Sequence, residues 1–150
     1  PRERCSWSCC RRPPEDRRDR MSRYAMINRV LMVDDNLEHL ELCRETLPAE
    51  EFQLDVATTP ADALGKLQLN HYSIVVLDYR LPYMSGLELL RRIRGKGYKM
   101  PIVLVSAVDD PDLSTKARMA GANDYIVKRF RYYSTLRERL LENIDPRHRF

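Results

Sequence analysis

Val30-Leu31-Met32-Val33-Asp34-Asp35-Asn36 decides the fold: four apolar residues run straight into two adjacent carboxylates and then an amide. An uninterrupted apolar run of that length fits a strand buried on both faces. Asn36 can cap the helix that follows, on which Leu40, Cys43 and Leu47 share one face. The pattern returns at Ile74-Val75-Val76-Leu77, which ends on Asp78, and at Ile102-Val103-Leu104-Val105, opened by Pro101 and ending on Ser106. A last short run, Tyr125-Ile126-Val127, ends on Lys128.

Helices fill the gaps. Thr59 before Pro60 is a helix entry, with Ala61 and Leu64 starting the inner stripe. Leu87, Leu90 and Ile93 form a second stripe that fails at Gly95 and Gly97. Asp110 and Pro111 open a helix carrying Leu113, Ala117 and Ala120, which Gly121 stops. A final helix carries Leu136, Leu140 and Ile144. Phe52, Leu54 and Val56 alternate with Gln53 and Asp55, so that strand has one face open and belongs at a sheet edge. Continuous apolar strands joined by helices predict an α/β fold: a three-layer αβα sandwich around a five-stranded parallel sheet in order 2-1-3-4-5.

The 150 residues fit one compact domain, and no apolar stretch approaches the roughly 20 residues of a membrane span. Together with the lack of a signal-peptide core, this argues against membrane and secreted proteins. The net charge is +4, but residues 1–24 hold eight Arg against four acids, so the remainder is formally neutral. A basic nucleic-acid-binding domain is therefore not indicated. Residues 1–24 also carry Cys5, Cys9 and Cys10, whose spacing is wrong for a zinc knuckle, and they read as a disordered basic tail. The folded unit is expected over residues 25–145, with 146–150 a C-terminal tail or the start of a linker.

Asp34, Asp35, Asp78, Ser106 and Lys128 all stand at strand C-termini. In an open parallel sheet the binding crevice lies beyond those ends, where the winding reverses. The predicted strand order puts that point between strands one and three, and brings Asp34, Asp35 and Asp78 together. Three carboxylates in one crevice repel unless a cation or protons intervene, and a hard divalent ion such as Mg²⁺ suits an oxygen ligand set. A hydroxyl and an ammonium around the same crevice suit a phosphoryl group in transfer. Any one of these residues has an ordinary structural explanation as a cap, turn or surface charge. Their joint placement on one rim does not.

Val33-Asp34-Asp35-Asn36, Leu77-Asp78-Tyr79-Arg80-Leu81-Pro82-Tyr83-Met84-Ser85-Gly86-Leu87, Val105-Ser106-Ala107, and Gly121-Ala122-Asn123-Asp124-Tyr125 with Lys128 and Phe130 stand in this order. Together they resemble the receiver domain of bacterial two-component response regulators, over about residues 28–144. The resemblance implies that Asp78 accepts a phosphoryl group from a sensor histidine kinase or phosphotransfer protein. It implies that Asp34, Asp35, Asp78 and the backbone carbonyl of Arg80 hold Mg²⁺. Ser106 and Lys128 would then contact the attached phosphoryl group, with Ser106 and the aromatic Tyr125 as the switch pair. The expected output is a changed surface on helix four, strand five and helix five, which contacts an effector or a second copy. Such a chain is a cytoplasmic phosphoacceptor that assists its own phosphorylation and dephosphorylation rather than an enzyme. No contact with nucleic acid or membrane is expected.

Two features depart from that pattern. Arg129 stands where the family has a proline after the lysine, which predicts a trans bond and a less well aimed Lys128. The chain ends soon after the last helix, so it reads either as a stand-alone regulator or as the front of a longer protein. Arg129 lends some support to a phosphorylation-independent interaction domain of the same fold. A phosphatase of the haloacid dehalogenase type would need an Asp-x-Asp pattern, and Asp34 and Asp35 are adjacent.

Overall fold

A computed structural model describes residues 27–129 and 131–144. The predicted tail, Cys5, Cys9, Cys10, Phe130 and residues 145–150 lie outside the described residues. Five strands, β1 (Asn28–Val33), β2 (Phe52–Ala57), β3 (Ile74–Asp78), β4 (Ile102–Ser106) and β5 (Asp124–Val127), form one parallel sheet in the order β2-β1-β3-β4-β5. Between and after them run α1 (Leu37–Thr46), α2 (Pro60–Leu69), α3 (Gly86–Gly95), α4 (Pro111–Met119) and α5 (Leu136–Ile144). A 3-10 turn, Tyr132–Thr135, leads into α5. Among the described residues no helix is long and apolar enough to cross a membrane.

The strands sort their side chains by parity, as pleating requires. Leu31, Val33, Val75, Leu77, Ile102 and Leu104 face a layer built from α2, α3 and α4. Val30, Met32, Ile74, Val76, Val103 and Val105 face α1 and α5. Ile93, fully buried, shows the scale: truncation to Ala in such a core costs about 2–5 kcal/mol. Strand β2 is the edge, as predicted, with Gln53 exposed; Asp55, expected on the open face with it, is half-buried like Leu54 and Val56 because it holds Arg29 and the Tyr72 hydroxyl.

Helix starts follow the caps. Asn36, Thr59 and Ser85 accept from the backbone amides of His39, Asp62 and Glu88, and Asp110 accepts from Asp112. One stripe differs from expectation. Pro60 itself takes the inner position of α2, so Ala63 and Leu67 follow it inward, Leu64 is half-buried and Ala61 is exposed. Strand β1 also starts two residues before the apolar run, because the Asn28 amide bonds the Glu51 carbonyl at 2.8 Å.

The rim where the strands begin is held by side chains. Arg94, at the end of α3, donates to the carbonyls of Gly121 (3.0 Å) and Tyr98 (2.9 Å) and to the Asn123 amide oxygen (2.9 Å). Arg29 pairs with Asp55 at 3.1 Å and lies over the Tyr72 ring, whose hydroxyl donates to the same carboxylate. Asp124, at the start of β5, takes a forked contact from Arg139 and a third bond from Asn143.

Candidate functional site

At the opposite rim, β1 and β3 end side by side, and the chain leaves them in different directions. Asp34 follows β1 with its amide bonded to the Ala57 carbonyl (3.0 Å), and Asp78 closes β3. Asp34, Asp35 and Asp78 each bring a carboxylate oxygen to within 4.8 Å of the others. Three carboxylate oxygens gathered this closely form the hard, oxygen-only donor set that suits a divalent cation such as Mg²⁺. Asp34 is buried, Asp35 is exposed and Asp78 is at the boundary. The crevice therefore has two largely buried carboxylates and one open to solvent.

Lys128 supplies the positive charge. Its Nζ lies 3.2 Å from Asp78 Oδ2 and 3.6 Å from Asp34 Oδ2. The bond to Arg129 is trans, as predicted, yet the ammonium still reaches the crevice. The aim comes instead from the backbone, because the Lys128 amide donates to the Ser106 carbonyl at 2.7 Å. This corrects the expectation of a misdirected lysine. Arg129 turns outward to Asp109 (2.6 Å), and both are exposed.

The two buried carboxylates are driven apart in acidity. Burial pushes Asp34 up, but the hydrogen bond from His39, the Asn36 amide at 2.9 Å and Lys128 outweigh it and hold its carboxyl below the ordinary range. Burial and the neighbouring Asp34 charge push Asp78 up to about 6, against the opposing pull of Lys128. Asp78 is thus ionised above that value while carrying an electrostatic penalty that a cation would relieve.

Ser106 and Tyr125 meet on one loop residue. The Ser106 hydroxyl accepts from the Val108 amide (3.0 Å), and the Tyr125 hydroxyl donates to the Val108 carbonyl (2.6 Å). Both side chains are buried. The Arg80 side chain is exposed, and its backbone pairs with Ser85 across the loop that follows β3. Gly86 sits so close beneath that loop that a Cβ would lie 2.2 Å from the Asp78 carbonyl oxygen. Tyr83, at the loop tip, is 95% exposed with φ of 74°.

Sequence reasoning missed His39 and Tyr132. His39 Nδ1 bonds Asp34 Oδ2, and its Nε2 bonds the Tyr132 hydroxyl. His39 stands three residues after the Asn36 cap, which placed it near the crevice, but nothing in the sequence tied it to a tyrosine 93 positions on.

The family model of the response regulator receiver domain matches residues 30–141. This chain belongs to that family. The receiver domain is 38% identical over 105 residues to the transcriptional regulatory protein BasR of Escherichia coli, covering 68% of this chain and 46% of BasR. The chain spans about half the length of the curated relatives it matches. Among solved structures, a CheY-like receiver domain from Methanospirillum hungatei is 28% identical with a TM-score of 0.73, covering 80% of this chain and 95% of that one. TrrA from Thermotoga maritima, solved in complex with Mg²⁺ and BeF, is 34% identical with a TM-score of 0.66, covering 77% of this chain and 97% of that one.

Proposed function

We propose that this receiver domain, taken as residues 25–145, accepts a phosphoryl group on Asp78 from a histidine kinase or phosphotransfer protein. The observation that carries this reading is the convergence of three carboxylates and Lys128 on one crevice. Asp34, Asp35 and Asp78, with the Arg80 carbonyl, would hold Mg²⁺. When bound, the ion neutralises charge on the phosphoryl oxygens. An ionised Asp78 oxygen forms the new O–P bond while the donor's N–P bond breaks, and the electron pair returns to the donor imidazole. Lys128, 3.2 Å from Asp78, offsets the negative charge that arrives.

Phosphorylation brings about −1.5 to −2 charges and new acceptor oxygens. The Ser106 hydroxyl turns to them and leaves the Val108 amide, which loosens the loop residue that also holds Tyr125. The surface of α4, β5 and α5 changes with it and meets an effector, or a second copy, in the cytoplasm. The inward aim of Lys128 despite Arg129 favours this reading over a phosphorylation-independent interaction domain.

Incubation with acetyl phosphate, or with beryllofluoride, in the presence of Mg²⁺ tests the assignment. The wild-type chain is expected to be modified and Asp78→Asn to remain unmodified. Equal labelling of the two would move the acceptor elsewhere.

A further inference from the structure

Three side chains lie in a row beneath the crevice on the α1–α5 side of the sheet. His39 projects from α1 with one ring nitrogen on Asp34 and the other on the Tyr132 hydroxyl. The Asp34 carboxylate only accepts, so His39 Nδ1 carries a proton toward it. Its Nε2 faces the Tyr132 hydroxyl, which can serve as either donor or acceptor. The rings stack at 5.2 Å with an interplanar angle of 23°. Cys43, fully buried one turn further along α1, sets its sulfur 3.9 Å from His39 Nε2 and 3.8 Å from the Tyr132 oxygen.

We propose that His39 and Tyr132 are positioning residues that tie Asp34 to the turn leading into α5, so that filling the crevice is read out on that turn. This rests on the reading of Asp34 as a metal-holding carboxylate. Both Asp34 oxygens already hold protein donors: Oδ1 takes the Asn36 amide and Oδ2 takes His39, with the Lys128 ammonium paired to Oδ2 at 3.6 Å. A carboxylate so restrained cannot turn toward a cation without moving the imidazole, and the imidazole cannot move without the phenol stacked on it. Tyr132 lies four residues past Lys128, so one connection between β5 and α5 grips Asp34 twice, directly and through His39.

The route is separate from the Ser106–Val108–Tyr125 contacts. Tyr125 packs in the layer under α2, α3 and α4, whereas Tyr132 packs in the layer under α1 and α5. One site would thereby report to both faces of the sheet, by cation occupancy on one and by phosphoryl attachment on the other.

The test is a Mg²⁺ titration of the whole chain, labelled with ¹³C at the tyrosine ring ζ carbon and assigned with Tyr132→Phe. Mg²⁺ affinity is measured in parallel by calorimetry. The Tyr132 signal is expected to shift along the binding curve. His39→Leu should weaken Mg²⁺ about 10-fold, as removal of an outer-shell partner does. Asn places its side-chain nitrogen near the position of Nδ1, so His39→Asn should recover affinity to within about twofold of wild type by restoring the Asp34 bond. It should still leave the Tyr132 signal unmoved. Urea unfolding confirms that each variant is folded. A Tyr132 signal that ignores Mg²⁺ in a chain that binds it overturns the relay alone, as does unchanged affinity in His39→Leu. A wild-type chain that binds no Mg²⁺ overturns the metal-holding site and the relay with it.

Discussion

Replacing Asp78 with Asn in the metal-free domain is expected to stabilise it at pH 7.5 and leave it unchanged near pH 4. The Asp78 carboxyl is raised from 3.8 to about 6 by burial and by the Asp34 charge, so the folded chain binds this proton more tightly than the unfolded chain does. Stability on this account is full below the unfolded value and is lost as pH rises through the folded one. The gap between 3.8 and about 6 corresponds to about 3 kcal/mol. Lys128 loses a partner in the variant but keeps Asp34 at 3.6 Å. A net gain of about 2 kcal/mol therefore remains, or several degrees in Tm. Asp34 and Asp124, both held below the ordinary range despite burial, act in the opposite sense and at more acid pH. Urea unfolding in EDTA at pH 4.5, 6 and 7.5, followed by circular dichroism, reads the effect. Excess Mg²⁺ should then stabilise the wild-type chain more than the variant. A variant no more stable than the parent at pH 7.5, or a difference independent of pH, refutes the electrostatic account.

Three further outcomes follow from single positions. Gly86→Ala must shift the Asp78 carbonyl by about 1 Å and should cost about 1–3 kcal/mol, with weaker Mg²⁺ binding by calorimetry. Tyr83→Gly relieves a left-handed backbone at a side chain that packs on nothing, and should raise the unfolding free energy by about 0.5 kcal/mol, read as a higher urea midpoint. Arg139→Ala strips the forked partner from the buried Asp124 and should destabilise by about 3 kcal/mol, with Arg139→Lys intermediate because it cannot fork.

The sheet was legible because each central strand is an unbroken apolar run closed by a polar residue, and β2 alone alternates. Those closing residues gave the acidic crevice, since pleating and parallel order leave strand ends on a common rim. Less could be read where geometry overrides local pattern. Arg129 pointed to a poorly aimed Lys128, but the amide bond to Ser106 fixes the lysine's direction, and that bond exists only once β4 and β5 are paired. Ala61 was placed inward because proline was taken as a boundary rather than as part of the stripe. His39 and Tyr132 meet only because α1 and the turn before α5 cover the same side of the sheet, and their separation in the chain hides this.

The arginine clamp at the rim where strands begin has a consequence for how such a chain can diversify. Arg94 binds three oxygens from two neighbouring connections, so this end of the sheet is stapled without touching the carboxylates at the other. Changes there act on stability alone, whereas changes around the crevice act on stability and, on the function proposed above, on phosphoryl acceptance as well. In a deep library of variants, substitutions at Arg94 and its partners should therefore track abundance alone, whereas those at the carboxylates should depart from what abundance predicts.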